Sequence, residues 1–525
     1  MNETIALKEK TAKIFWQNSL TVVFAFALLK LVLHFVFNSN YGYFRDELYF
    51  LACSEHLAFG YPDHAPLVAF STKISRAVFG DSLFSIRLFS ALAGAAKIIL
   101  TGLLVIEFGG KRFATFLACL CVLCVPVYLA IDNLLSMNSF EPVIWMACVY
   151  FAVLATTREN PRYWLWFGVF AGIGLMNKHS MLFFGLALIA GLILTKERKV
   201  FLDKWFWLAG AIAFLIFLPN IVWQFQNAFA TLELLQNVQK SGKNVVLSPP
   251  GFVGAQIFML LPTTFPVWLA GIWFLLADKK GKQFRFLGIL YVVLLALMIL
   301  LKAKDYYLAP IYPMLFAAGA VWWEQIFERI RGLRFLKIVL PILIAGMTIV
   351  ALPFALPVLP VESFLNYENQ LGIKPPKTEV SHEGVLPQIY GDQFGWQEMV
   401  EKTAEVYNSL PPEEREKTAI YAGNYGEAGA IDFFGAKYNL PKAISGHQSY
   451  FLWGHRGYTG EIMILLGAKR QADGKYEAEK FFESVEEKTE VADPYSMNEE
   501  KYKILLCRGM KKPLPEVWAS LKHWN

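Results

Sequence analysis

The residues best suited to chemistry lie close together near the start of the chain. Between positions 38 and 83 stand Tyr43, Arg45, Asp46, Glu47, Glu55, His56, Asp63 and His64. A carboxylate there can take a proton from a hydroxyl or amine, the task of a general base. Three more polar turns interrupt apolar sequence. Segment 131–141 carries Asp132, Asn133, Asn138 and Glu141, segment 177–180 carries Asn177, Lys178 and His179, and Lys302, Lys304, Tyr306 and Tyr307 fall in a KAKDYY run. Acids that accept a proton, opposite lysines that hold a phosphate, suit group transfer from an anionic lipid.

Each has a plainer reading. From Asp46 to Phe59 the pattern DELYFLACSEHLAF is amphipathic at helical spacing and predicts a helix lying in a membrane interface. In that helix Asp46 would be the N-cap and Glu47 a first-turn acid favoured by the helix dipole. A single lysine near a span end can simply snorkel to headgroups. Cys119, Cys121 and Cys124 have no His or acidic neighbour and read as small hydrophobes. Gly423, Gly426 and Gly429 match no dinucleotide fingerprint and read as a tight turn before a helix.

The elements that must position these groups are membrane spans. Only 18% of the 525 residues are charged and 55% are hydrophobic, against roughly 25% charged in soluble domains. Apolar blocks long enough to cross ~30 Å of hydrocarbon recur along the chain. The expected spans are about eleven: 15–37, 84–108, 113–131, 140–156, 163–177, 180–195, 203–223, 252–277, 285–301, 306–323 and 335–356. The first follows Lys8, Lys10 and Lys13 and reads as a retained anchor.

Lysine and arginine set the orientation. With a cytoplasmic N-terminus, alternate loops hold nineteen basic residues inside and eight outside before the tail. All four reactive turns then face outward, and so does the chain after 357. The net charge of +6 follows this loop pattern and gives no sign of a nucleic-acid partner.

Beyond 356 the spans stop. Pro357, Pro360, Pro375 and Pro376 break a linker at 357–379, and 380–525 reads as a small soluble α/β domain. A helix is expected at 396–409, a strand at 418–422, a turn and helix at 424–438, and strands at 461–466 and 502–507. The fold class is thus mainly α: a polytopic membrane domain, 1–356, with first outer loop 38–83, and an outward-facing α/β domain.

YFRDELYFLACSEHLAFGYPDHAPLVA (43–69), SIRLFSALAG (85–94), GLMNKHS (174–180) and KDYYLAPIYPMLFAAGA (304–320) together resemble bacterial glycosyltransferase family 39. That family comprises protein O-mannosyltransferase and aminoarabinose transferase-like enzymes of the GT-C fold, and the resemblance covers about 15–356. It implies a polyprenyl-phosphate sugar donor and inverting transfer at the outer face of an inner (plasma) membrane. Asp46 would be the base, and Glu47 would orient it or the acceptor. Asp63 and His64 match the family's acid-His-x-Pro stretch, although Ala65 stands where a proline is usual, and Asp132 matches its acid after the third span. Lys178, Lys302 and Lys304, with Tyr306 and Tyr307, would bind donor or phosphate. Some relatives bind a divalent metal and others need none, so the resemblance allows one beside Asp46, Asp63 and Asp132 without requiring it. The acceptor could be a protein, a glycan, or a lipid such as lipid A. A transporter or flippase of a lipid-linked sugar is the alternative, for which mid-span Lys30 and Lys97 speak, unless they pair with acids inside the bundle or line a lipid groove. A membrane anchor presenting a binding module is a third reading.

Overall fold

The computed structural model describes residues 2–158, 160–375, 379–380, 383–468, 470–471 and 473–524. Pro376, and the side chains of Lys8, Lys10 and Lys13, lie outside the described residues. Contacts divide the chain into two compact units. One comprises 1–39, 84–222 and 246–359, the other 40–83, 223–245 and 360–525. This grouping differs from the one expected from sequence: the first polar loop packs with the C-terminal part, not with the spans.

The first unit is helical. Among the described residues, six helices are long and apolar enough to cross a membrane, among them Ser19–Phe37, Leu83–Glu107, Met137–Thr157 and Arg331–Phe354. A seventh crossing arises if Pro249–Met259 and Pro262–Leu276, bent by 95°, form one span. By that measure the count of about eleven is not reached. The other four expected spans correspond to shorter helices: Arg112–Cys124, Tyr163–Asn177, Met181–Ile193 and Tyr312–Arg329. Arg112–Cys124 stops where Pro126 opens a separate short helix, and proline lacks the N–H that would continue the ladder. Apolar side chains face outward as lipid requires: Ile338, Ile342 and Ile349 are 67%, 62% and 73% exposed. The three mid-chain cysteines are buried and free, within the hydrophobic core.

The second unit is built on a four-stranded sheet, β1 (Thr418–Tyr421), β2 (Ile462–Leu465), β3 (Phe482–Val491) and β4 (Tyr502–Met510), in the order β1-β2-β4-β3. β1 and β2 are parallel, while β4 runs antiparallel to both β2 and β3. Ala419, Met463, Leu505 and Cys507 from its strands pack with Leu514 and Trp518. The expected helices and strands of this region are present at Trp396–Asn408, Thr418–Tyr421, Tyr425–Phe434, Ile462–Leu465 and Tyr502–Met510. β3 was not expected: its sequence, FESVEEKTEV, is mostly charged. It is an edge strand, where charge blocks pairing with another sheet.

The first-loop helix, Arg45–Glu55, is wrapped by protein. Every residue from Glu47 to Ser54 is buried, so it is not an interface helix with one wet face. Its partner is the helix Tyr425–Phe434, and two glycines explain the close fit. A Cβ on Gly429 would come within 2.7 Å of the Leu48 backbone, and one on Gly426 within 2.5 Å of Arg45 Cγ. The glycine-rich turn therefore serves close helix approach. Arg45 adds a polar lock: its guanidinium bridges Glu499, Glu500 at 2.6 Å and Asp392 at 3.6 Å.

Candidate active site

In the second unit, Phe44 is the residue that caps the Arg45–Glu55 helix, and Asp46 is one turn-position further in. The capping expected of Asp46 is done by Glu47, whose Oε2 accepts the Phe44 N–H at 2.8 Å. Glu47 has no accessible surface. Glu47 thus closes the start of the helix, and Phe44, not Asp46, is its N-cap residue.

Asp46, half-buried as a residue, accepts a hydrogen bond on Oδ1 from Tyr425 Oη at 2.8 Å. Burial and the nearby Asp63 charge push its pKa up; the Tyr425 phenol and Arg45 pull the other way without cancelling this. A carboxyl so tuned holds a proton more readily than an ordinary one, as a general base needs. Asp63 lies close by and accepts from Tyr49 Oη at 2.9 Å. The rings of Tyr49 and Tyr425 pack at 4.8 Å, so paired phenols hold paired acids. The first-loop residues thus converge, with Tyr425 and Tyr49 added by the fold. Tyr49 was legible as a helix residue only; Tyr425 gave no signal in sequence.

His64 stands apart from this pair. Its ring is 2% exposed, stacks on Tyr61 at 4.4 Å and places Nδ1 2.8 Å from the Ala65 carbonyl. Nδ1–H donates there, leaving Nε2 towards the Cys53 thiol at 3.7 Å. The imidazole braces the loop.

In the helical unit, the three remaining polar turns meet around Lys178. Its Nζ donates to Asn138 Oδ1 at 2.9 Å and to Glu141 Oε2 at 3.1 Å, and lies 4.1 Å from the centre of the Tyr307 ring and 5.8 Å from that of Tyr306. Ser180 Oγ donates to the other Glu141 oxygen, and Asn177 Nδ2 donates to the Met137 carbonyl at 2.9 Å. Lys178, Tyr306 and Tyr307 are therefore brought together as expected. Lys302 is exposed in a left-handed turn, φ +52°, and Lys304 is half-buried.

Asp132 is placed differently from the expectation. It has no accessible surface and sits between two lysines: Lys30 Nζ and Lys97 Nζ each lie 2.9 Å from its Oδ2. Lys97 also covers the Tyr128 ring at 4.1 Å, and Lys30 donates to the Tyr128 carbonyl at 3.0 Å. Both Asp132 oxygens are thus engaged by buried lysines. Among the described residues no group of three or more His, Cys, Asp or Glu side chains is placed to hold a metal ion. The described residues thus offer no ligand set of the kind the resemblance allows.

Residues 63–223, which include Asp63, Asp132 and Lys178, match the family described as dolichyl-phosphate-mannose-protein mannosyltransferase. No curated protein matches the chain in sequence. Among solved structures, ArnT from Cupriavidus metallidurans bound to undecaprenyl phosphate is similar with a TM-score of 0.59 and 13% identity, over 92% of this chain and 97% of that one. Its apo form gives 0.56 and 12%, with the same coverage. An oligosaccharyltransferase from Archaeoglobus fulgidus, tethered with an acceptor peptide, gives 0.47 and 11%, over 82% of this chain and 64% of that one. ArnT and this chain share a fold, that of multi-pass membrane proteins of GT-C type. Residues 63–223 thus resemble the mannosyltransferase family, and the chain as a whole has the GT-C fold of ArnT.

Proposed function

We propose that the chain moves a sugar, with inversion, from a polyprenyl-phosphate donor to an acceptor hydroxyl or amine at the outer face of the inner (plasma) membrane. The N-terminus would be cytoplasmic and the 380–525 domain periplasmic or extracellular. The observation that carries the reading is the Asp46 carboxyl: on a half-buried residue that is not the helix N-cap, bonded by the Tyr425 phenol, and raised in pKa by burial and Asp63. Asp46 takes the acceptor proton as the acceptor atom attacks the anomeric carbon from the face opposite the phosphate. The bond from that carbon to the phosphate oxygen breaks, and its electron pair leaves with the polyprenyl phosphate. One displacement inverts the centre. Lys178, with Lys302 and Lys304, supplies cations for the charge that grows on the leaving phosphate. Undecaprenyl phosphate, which ArnT of similar fold binds, is the carrier we favour. The grouping of 40–83, 223–245 and 360–525 in one unit supports a common outer side for them. The transport reading loses its main argument, because Lys30 and Lys97 are buried partners of Asp132.

The test is transfer from undecaprenyl-phosphate-linked mannose and aminoarabinose by the purified full chain, against Asp46→Asn. Loss of a positioned base is expected to lower kcat about 10²–10⁴-fold, with undecaprenyl phosphate still bound. Turnover equal to wild type in Asp46→Asn removes Asp46 as the base.

A further inference from the structure

We infer that Tyr425 is a positioning residue for Asp46, so that the chain beyond the last spanning helix completes the catalytic base. This rests on the reading of Asp46 given above.

Among the described residues, Tyr425 Oη is the hydrogen-bond donor to the Asp46 carboxyl, at 2.8 Å on Oδ1. The bond fixes one oxygen and leaves Oδ2 as the atom for an acceptor proton. A tyrosine hydroxyl in a protein interior often bonds to whatever acid is near, and such a contact would be structural alone. Here the phenol is itself held from both sides. Its ring packs on Tyr49 at 4.8 Å and on His447 at 4.9 Å, and His447 stacks in turn on His523 at 4.9 Å with an interplanar angle of 10°. Four rings thus form a column that ends at the two carboxyls, with Tyr49 on Asp63 and Tyr425 on Asp46.

The backbone is fixed as firmly. The Tyr425 N–H donates to His447 Nδ1 at 3.2 Å, Asn424 Oδ1 caps the following helix through Gly426 and Glu427, and His523 Nε2 lies 3.1 Å from the Gly423 carbonyl. Gly426 and Gly429 let that helix approach the Asp46 helix closely enough for the phenol to reach. A donor held this way sets the carboxyl's rotamer before substrate arrives, which is what orientation requires. It also favours the charged form, opposing the burial and the Asp63 charge that favour the proton.

The experiment is a titration of the Asp46 carboxyl infrared band, assigned by its loss in Asp46→Asn, in the detergent-solubilised full chain without donor. Tyr425→Phe keeps the ring and the column. It is expected to move the midpoint upward by about one to two pH units, the worth of a hydrogen bond to a charged group. Tyr425 replaced by 3-fluorotyrosine, a stronger donor on the same ring, moves it downward. In the transfer assay Tyr425→Phe lowers plateau kcat roughly ten- to a hundred-fold and shifts the acid limb to higher pH, with the KM for the lipid donor unchanged. A midpoint and kcat equal to wild type in Tyr425→Phe overturn the inference, and so does an equal shift in both variants. If Asp46→Asn still transfers sugar, the base reading fails instead. If it is inactive while Tyr425→Phe behaves as wild type, the base stands and the positioning role falls.

Discussion

Two aspartates that looked alike in sequence have opposite surroundings. Asp46 is half-buried as a residue, with one phenol on its carboxyl, whereas Asp132 is sealed between Lys30 and Lys97. The difference leads to different failures on mutation. Asp132→Asn leaves two buried ammonium groups without a counter-charge, and breaking a buried pair costs about 3–5 kcal/mol. We expect Asp132→Asn to melt at clearly lower temperature in detergent, with further loss at no particular substrate concentration. Lys178→Met should melt close to wild type while its donor KM rises or its kcat falls, because Lys178 retains partial exposure beside Glu141 and Tyr307. Thermal melting and steady-state kinetics on the two variants check this; equal melting temperatures would place Asp132 in the chemistry. Asp46 and Lys178 were legible because their residue types and flanking apolar runs mark them. The choice of Asp132 as the acid that pairs with Lys30 and Lys97 was not, since the three come from segments far apart in sequence. Nor was Tyr425, which lies 379 positions from its partner.

At the scale of elements, the approach of Arg45–Glu55 to Tyr425–Phe434 decides where Asp46 points. Both helices could be read from sequence, one from its amphipathic spacing and the other from the turn at Asn424, which caps it. Their contact could not be read, because a glycine that admits a neighbour looks like a glycine that makes a turn. Gly429→Ala tests the distinction. The added Cβ would meet the Leu48 backbone at 2.7 Å, and backbone cannot rotate aside as a side chain can. Overpacking of this kind costs about 1–3 kcal/mol, although alanine favours the helix intrinsically. The expected result is a lower melting temperature together with a loss of transfer activity, as the helices part and the Tyr425–Asp46 bond lengthens. An unchanged or raised melting temperature would mean that the helices are not in contact there. β3 shows the converse limit. Its charges hid a strand that pairs with β4 through a register shift between Glu487 and Thr489, and no periodicity marks such a segment.

For the molecule as a whole, several acids of the second unit should respond to pH in a direction opposite to the usual one. Its interior holds acids whose pKa is pushed up: Asp46, Glu427 and Glu500, all chiefly by burial, and Asp432, raised by burial to about 6. Asp432 is only 7% exposed and takes hydrogen bonds from Tyr450 Oη at 2.9 Å and the Ala443 N–H at 2.8 Å. A carboxyl with a folded pKa above its unfolded value binds more protons when folded. Its contribution is therefore fully present below about pH 4 and is lost as pH rises through about 6. For Asp432 the loss amounts to roughly 3 kcal/mol above that window. Glu55, held down in pKa by Lys442 and Arg76 against its burial, acts in the opposite sense, so the net slope of the wild type mixes both signs. The difference between wild type and Asp432→Asn isolates one of them. Asparagine keeps an oxygen for Ala443 and carries no charge, so the variant should lose the pH-dependent penalty. Melting of the full chain in detergent from pH 4 to 7.5 is expected to show the variant gaining on wild type as pH rises through 6. Parallel melting curves across that range would mean that Asp432 ionises in the folded unit as freely as in the unfolded chain.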